Sequence, residues 1–299
     1  MAKTEKRIES KISRTAEYTC MTRAASFYEK IHQYKSNDYI APQLLPKFFT
    51  PVIKVGIFRK FFTNRFPSGM YEYVIARTKF IDSVFQNAIS NEFDQILIFG
   101  AGFDSRGIRF ADLNKKTIIF ELDAPVTQEA KIDQLKKRGI EINPNITFIS
   151  IDFNKESLED KLIESGFKEN KKSLFILEGL TMYLDPEAID NTFHVIDQFA
   201  GTGSEVVFDY VYLSVLRGEN IYYGEPEVIK QLQNTNEPWS FGIEKGKLES
   251  FLKDRNLKLI QSLNSEDLEN RFFKDENGNI IARVNGTHCI TYSRKIKNV

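Results

Sequence analysis

The chain has 299 residues with 41 basic and 41 acidic side chains and no formal net charge, a balance that removes any global attraction to nucleic acid or an anionic membrane. Its two cysteines, Cys20 and Cys289, exclude a disulfide scaffold and a cysteine-rich zinc site. The basic, polar start leads into no apolar leader core and no run of about 18 apolar residues occurs, so the expectation is a cytoplasmic protein with a small-molecule partner and no membrane span.

Residues 1–92 read as an N-terminal helical cap. Ala16, Cys20, Ala24 and Phe27 recur at helical spacing over 14–30, and Ile81, Val84, Phe85 and Ala88 do so over 74–89. Between them lies a loop-rich stretch with Pro42, Pro46, Pro51 and Pro67. Its Phe-rich part, 48–66, reads as a lid over substrate or as a surface anchor; the prolines and Gly56 break a long amphipathic helix and favour the lid. From residue 93 the rhythm is that of a core. Strands at 95–99, 117–123, 146–152, 173–179 and 204–211 alternate with helical patterns at 125–138, 155–165 and 186–200, which predicts a doubly wound α/β sheet with right-handed crossovers. Residues 211–242 lack periodicity and hold the single tryptophan, Trp239; loops of this length are usually functional or disordered, and this one reads as an inserted substrate segment. A helix at 244–255 and a terminal hairpin of strands at 257–263 and 287–294, with a polar turn at 275–279, complete a mostly parallel seven-stranded sheet within 93–299.

The most informative run is QILIFGAGFDSR at 95–106, followed by TIIFELD at 117–123. A buried strand enters a glycine turn whose backbone a ligand can approach, and about 20 residues on an acid at the next strand tip offers two acceptor oxygens to a ribose. Acids recur at the strand tips: Glu121 and Asp123, Asp152, Glu178, and Asp209, the last read as a helix cap or a solvated loop. Gly-x-Gly with a downstream acid is shared by sites for NAD, FAD and S-adenosylmethionine. Asp104-Ser105 stands where a pyrophosphate would meet the helix, and acids attract a sulfonium and an ammonium, so the rim favours S-adenosylmethionine. Arg77, on the helix before the first strand, suits a bidentate pair with the methionyl carboxylate or an exposed position on an amphipathic face. An NAD(P)-dependent oxidoreductase and a non-catalytic sensor or scaffold that binds S-adenosylmethionine both stay open.

The segments RTAE (14–17), RTKFID (77–82), IFGAGFDSR (98–106), FELDAP (120–125), EGLTMYL (178–184) and EPWSFG (237–242) together resemble the leucine carboxyl methyltransferase family. Within it the chain is most similar to the bacterial branch of candidate S-adenosylmethionine-dependent O-methyltransferases associated with polyketide-type products. The resemblance implies a class I, Rossmann-like methyltransferase fold that uses S-adenosylmethionine, releases S-adenosylhomocysteine and needs no metal. It implies that Arg77 holds the methionyl carboxylate and that Gly100, Ala101 and Gly102, with Asp104 following, lie against the methionyl backbone. Asp123 would take the ribose diol with Glu121 and Leu122 beside it, Asp152 and Phe153 would bracket the adenine, and Glu178 with Gly179 would face the ammonium. Eukaryotic members carry a basic cofactor contact in the first helix, where this chain has Thr22-Arg23. The implied reaction is methyl transfer to a carboxylate or hydroxyl oxygen of a small organic, polyketide-like substrate.

No catalytic residue stands out. Of the three histidines, His32, His194 and His288, the last two read as structural, no spacing suggests metal ligands, and the lack of an evident base leans toward a carboxylate acceptor, which is already ionised near neutral pH. Tyr183, Tyr210 and Trp239 are the candidate substrate contacts, with Tyr212, Tyr222 and Tyr223 near them, in a pocket expected between the cap and 211–242.

Overall fold

Apolar runs too short for helices pair as strands, and strands covered on both faces stay apolar throughout. The computed structural model describes residues 12–152, 156–233 and 238–296, and the side chains of Phe58, Lys60, Phe61 and Phe62 lie outside that description. The N-terminal part contains α1 (Arg14–Phe27), α2 (Ala41–Leu44), α3 (Phe49–Lys54), α4 (Gly56–Thr63) and α5 (Met70–Ser90). The alternating part follows with β1 (Gln95–Phe99), α6 (Arg106–Arg109), β2 (Ile118–Asp123), α7 (Pro125–Lys137), β3 (Ile146–Ser150), α8 (Leu158–Glu164), β4 (Ser173–Leu177), α9 (Pro186–Phe199) and β5 (Glu205–Val211). Then come α10 (Leu213–Leu216), α11 (Glu225–Gln233), α12 (Leu248–Lys253), β6 (Leu257–Leu263), α13 (Ser265–Phe272) and β7 (His288–Lys295).

The sheet has seven strands in the order β3-β2-β1-β4-β5-β7-β6. β1 pairs in parallel with both β2 and β4, Gln95 facing Ile118 on one side and Ser173 on the other. β7 runs antiparallel between β5 and β6. Strand order therefore reverses beside β1, and in such sheets the ligand crevice opens outside the carboxyl ends at that point.

Side-chain alternation splits the core into two layers. Ile96, Ile98, Ile119, Leu174, Ile176, Val207 and Ile290 face α5, packing against Val74, Ile81 and Phe85. Leu97, Phe99, Phe120, Leu122, Phe175, Leu177, Phe208 and Tyr210 face away, against α8 and α9 through Leu158, Leu162, Ile189, Phe193 and Ile196. Each such aliphatic or phenyl side chain contributes about 1.5–3 kcal/mol by leaving water. On the α5 side, the parity that buries Ile176, Val207 and Ile290 also turns Glu178, Asp209 and His288 toward α5 at the rim.

Three expectations change. The loop-rich 31–66 stretch contains α2, α3 and α4, with Pro42 and Pro51 in first helical turns, where proline's missing N–H costs no internal bond. The aperiodic 211–242 segment contains α10 and α11. The terminal strands are adjacent but not a hairpin, because α13 and a connection bearing the Asp275–Asn279 turn separate them; Asp275 Oδ1 there accepts from the N–H groups of Asn277 and Asn279 at 2.9 and 2.8 Å. Among the described residues no helix is long and apolar enough to cross a membrane, and no group of three metal-ligating side chains occurs.

Candidate active site

The turn after β1 requires glycine twice. Gly100 and Gly102 adopt φ of 58° and 52°, and a Cβ on them would stand 3.1 Å from Leu180 Cδ1 and 3.0 Å from Ala16 Cβ, a left-handed conformation that costs other residues about 1 kcal/mol or more. Ala101 N–H donates to Leu122 O at 2.8 Å. α1 lies over this turn, and Arg23 secures it by donating from Nη2 to Phe103 O at 2.7 Å and pairing with Asp38 at 3.1 Å. Arg23 is therefore a structural clamp.

At the tip of β2, Asp123 accepts from Gly102 N–H through one oxygen and from Ala124 N–H at 2.7 Å through the other. Burial raises its carboxyl to about 6, against the lowering pull of those two N–H groups. Its neighbours differ from expectation. Glu121 is buried and ion-paired with Lys131 of α7; burial leaves its carboxyl raised despite that ammonium. Leu122 points to the opposite face of the sheet, into the α8/α9 core, because successive strand residues alternate sides. Asp152 follows β3, partly exposed, with its N–H donating to Glu156 Oε2 at 2.8 Å; Phe153 lies outside the described residues.

Between β1 and β5 runs a continuous chain of buried ion pairs. Arg109 donates from Nη1 and Nη2 to both oxygens of Asp82, each at 2.8 Å, and lies 3.4 Å from Asp38. Arg106 donates from Nε to Asp82 at 2.8 Å, and its Nη1 contacts Asp104 and, at 2.7 Å, Glu178. Arg77 donates from Nε to Glu178 at 3.0 Å and from Nη1 to Asp209 at 2.6 Å. Asp209, expected as a cap, is fully buried and also accepts from Tyr73 Oη at 2.8 Å and Gly179 N–H at 2.6 Å. Tyr73 and Arg77 share a face of α5 because they stand four residues apart. Burial pushes the Glu178 and Asp104 carboxyls up, but the arginines outweigh it and hold both below the ordinary range. The acidic rim is thus charge-compensated at this end, and Asp104 serves Arg106, whose N–H and guanidinium it binds.

A cavity of about 830 Å³ opens beside Arg77 and Gly179. α1 contributes Thr15 and Tyr18, the turn before α5 contributes Phe66, α5 contributes Tyr73, and α11 with the residues after it contributes Val228, Leu232 and Trp239; His288 of β7 completes the wall. Tyr183 lines it too, 3.0 Å from Thr15 Oγ1 and edge-on to Trp239 at 6.4 Å. Tyr210 does not. It and Tyr212 lie on the far face, where Tyr222 stacks on Tyr212 at 4.6 Å, so strand parity turns them away from this cavity. Tyr223 is exposed beneath Arg283, and Phe48 is 69% exposed.

The residues fit S-adenosylmethionine. Among the described residues Nη2 of Arg106 is a buried donor without an acceptor, which an incoming carboxylate would satisfy. Both Asp123 oxygens are oriented by fixed N–H groups. The sequence reading did not bring Arg106, Tyr73 or Tyr18 to this region; it took Asp209 for a cap or a solvated loop and His288 for a structural residue. Helical spacing to Arg77 was a signal for Tyr73, and strand parity was one for Asp209 and His288.

The leucine carboxyl methyltransferase family model matches residues 20–197, more than half of the chain. A candidate S-adenosyl-L-methionine-dependent methyltransferase of Bacillus subtilis (strain 168), YktD, is 27% identical over 208 residues, which cover 70% of this chain and 68% of that protein. One from Mycobacteroides abscessus is 36% identical over 134 residues, 44% of this chain and 43% of its own; the match spans less than half the length of the mycobacterial relatives. A candidate methyltransferase from Thermobifida fusca YX, known as a crystal structure, superposes with a TM-score of 0.58 at 12% identity over 95% of this chain and 98% of that one, a likeness of fold.

Proposed function

The chain belongs to the leucine carboxyl methyltransferase family and is an S-adenosylmethionine-dependent methyltransferase, and on that premise we propose that it methylates an oxygen of a small organic substrate. The cavity beside Arg77 and Gly179 carries this reading: its size suits a small ligand, and its aromatic walls meet the rim at the end assigned to the methionyl group.

Bound S-adenosylmethionine supplies an electrophilic methyl group on a sulfonium. In this reading Arg77 and the unsatisfied Nη2 of Arg106 hold the carboxylate, Glu178 receives the ammonium, Gly100, Ala101 and Gly102 let the backbone approach, Asp123 takes the ribose diol, and Asp152 the adenine. Tyr183 and Trp239 position the acceptor. Holding nucleophile and methyl in line while excluding water is the main catalytic contribution such a site makes.

Calorimetric titration tests it. S-adenosylmethionine and S-adenosylhomocysteine are expected to release heat and NAD to release none; no heat with either sulfur compound overturns the cofactor assignment. Incubation with methyl-labelled S-adenosylmethionine and a pool of small acids and phenols should label oxygen, and label found only on nitrogen or carbon would overturn the acceptor assignment.

A further inference from the structure

We propose that His288 accepts the proton of the substrate, so that the group methylated is a hydroxyl on an aromatic ring; this rests on reading the cavity as the acceptor site.

The hydrogen-bond chain behind His288 fixes its tautomer. Asn285 Nδ2 donates to Ser68 O at 2.9 Å, which orients the amide and leaves Asn285 Oδ1 as an acceptor. Thr287 Oγ1 lies 2.5 Å from that oxygen and must donate its single proton there. Oγ1 is also 2.7 Å from His288 Nδ1, and having no proton left it accepts from Nδ1–H. Nε2 therefore carries a lone pair. It has no hydrogen-bond partner among the described residues, it is not among the unpartnered atoms sealed by protein, and His288 lines the cavity although the residue is only 4% exposed.

The surroundings hold this ring in place. Asn285 N–H donates to Gly69 O and Gly286 N–H to Tyr223 O, both at 2.9 Å, tying the start of β7 to the segments before α5 and α11. A Cβ on Gly69 would fall 2.4 Å from Asn285 N, and one on Gly224 2.2 Å from Ser68 O, so both glycines are required by the junction. The ring lies 4.5 Å from Tyr73 and edge-on to Trp239 at 5.1 Å. Arg77 of α5 acts on the ring, and Tyr73, packed against it, donates to Asp209 of β5. Burial first, then Arg77, lowers the imidazole to about 3, so the ring is neutral near pH 7 and its lone pair is present.

A neutral acceptor recognises a donor. A phenol gives its proton to Nε2, whereas a carboxylate presents lone pairs to a lone pair. In the reaction the hydroxyl oxygen bonds to the methyl carbon, the carbon–sulfur pair returns to sulfur, and the hydroxyl proton passes to Nε2 to form an imidazolium. One positive charge disappears at sulfur as one appears on the ring, so the net charge of the closed site is constant and the burial that disfavours imidazolium in the free protein is offset by the lost sulfonium. The proton leaves to solvent when the product departs.

Histidine-selective ¹⁵N labelling of the full chain tests this, with His288→Asn identifying the resonances and preserving a donor toward Thr287. With S-adenosylhomocysteine bound, Nδ1 of His288 should be protonated and Nε2 bare, and 2-naphthol should shift Nε2 while 2-naphthoate does not. The His288→Asn protein should bind S-adenosylhomocysteine as the wild type does and bind 2-naphthol about tenfold more weakly, the loss of one hydrogen bond. Thr287→Val should relax the ring to mixed tautomers. If S-adenosylhomocysteine fails to bind the wild type, the cofactor reading falls and this proposal with it. If it binds but Nε2 is protonated, or stays unmoved by 2-naphthol, this proposal alone falls.

Discussion

The two ends of the strand rim bury charge by different means. Between β1 and β5, each acid of the site has a guanidinium: Asp104 and Glu178 share Arg106, and Glu178 and Asp209 share Arg77. At β2, Asp123 rests on two backbone N–H groups and is raised to about 6. The first arrangement makes local stability depend on ion pairs. The second holds a carboxylate on backbone N–H groups at a standing cost in folding free energy. A paired charge resists removal and an unpaired one resists burial, so the two ends should answer differently to mutation and to pH.

The largest contrast is expected from Arg106→Met, which leaves Asp82, Asp104 and Glu178 without their shared cation. Breaking such a buried network costs about 3–5 kcal/mol, read as a lower urea midpoint; a loss below about 1 kcal/mol would mean the pairs are dispensable. Next comes the acid limb at the other end. Because folding raises the Asp123 carboxyl, the folded state binds its proton more tightly than the unfolded state does. Its penalty is absent below pH of about 4, grows through about 6 and is constant above, reaching about 3 kcal/mol at 1.36 kcal/mol per pKa unit. Unfolding free energies of wild type and Asp123→Asn across this window should show the wild type gaining stability relative to the variant as pH falls. Parallel curves would contradict the burial effect.

Arg77→Lys keeps a cation for Asp209 but loses the fork, and should weaken S-adenosylhomocysteine binding by about 1.5–3 kcal/mol, the range for bonds to charged groups; calorimetry at fixed salt would read it, and an unchanged dissociation constant would remove Arg77 from the carboxylate site. The smallest effect belongs to Tyr183→Phe, which gives up the contact with Thr15 Oγ1. About 0.5–1.5 kcal/mol is at stake, and it should appear in KM for the acceptor while leaving cofactor affinity intact.

The apolar rhythm from residue 95 onward was enough to find each parallel strand within a residue or two, because buried strands write their limits as hydrophobic runs between turn residues. The glycine turn was equally legible, since only glycine tolerates φ near 55° against Ala16 and Leu180. The helices α2, α3 and α4 were not. They are short, α2 and α3 each carry a proline, and they are held by contacts with α1, α7 and one another, which local propensity does not report. Asp209 and Tyr210 show the same limit within one strand: adjacent in sequence, they belong to opposite faces, and only the parity set by α5 on one side and α9 on the other tells which one reaches the rim.

Sequence alone therefore determined the order of the core elements, the sheet class and the acids and glycines gathered at the strand ends, because these follow from local pattern. Tertiary structure decided which charges are compensated, which tyrosines line the cavity and what surrounds His288. Those depend on partners between 1 and 217 positions away along the chain, a pairing that no periodicity records.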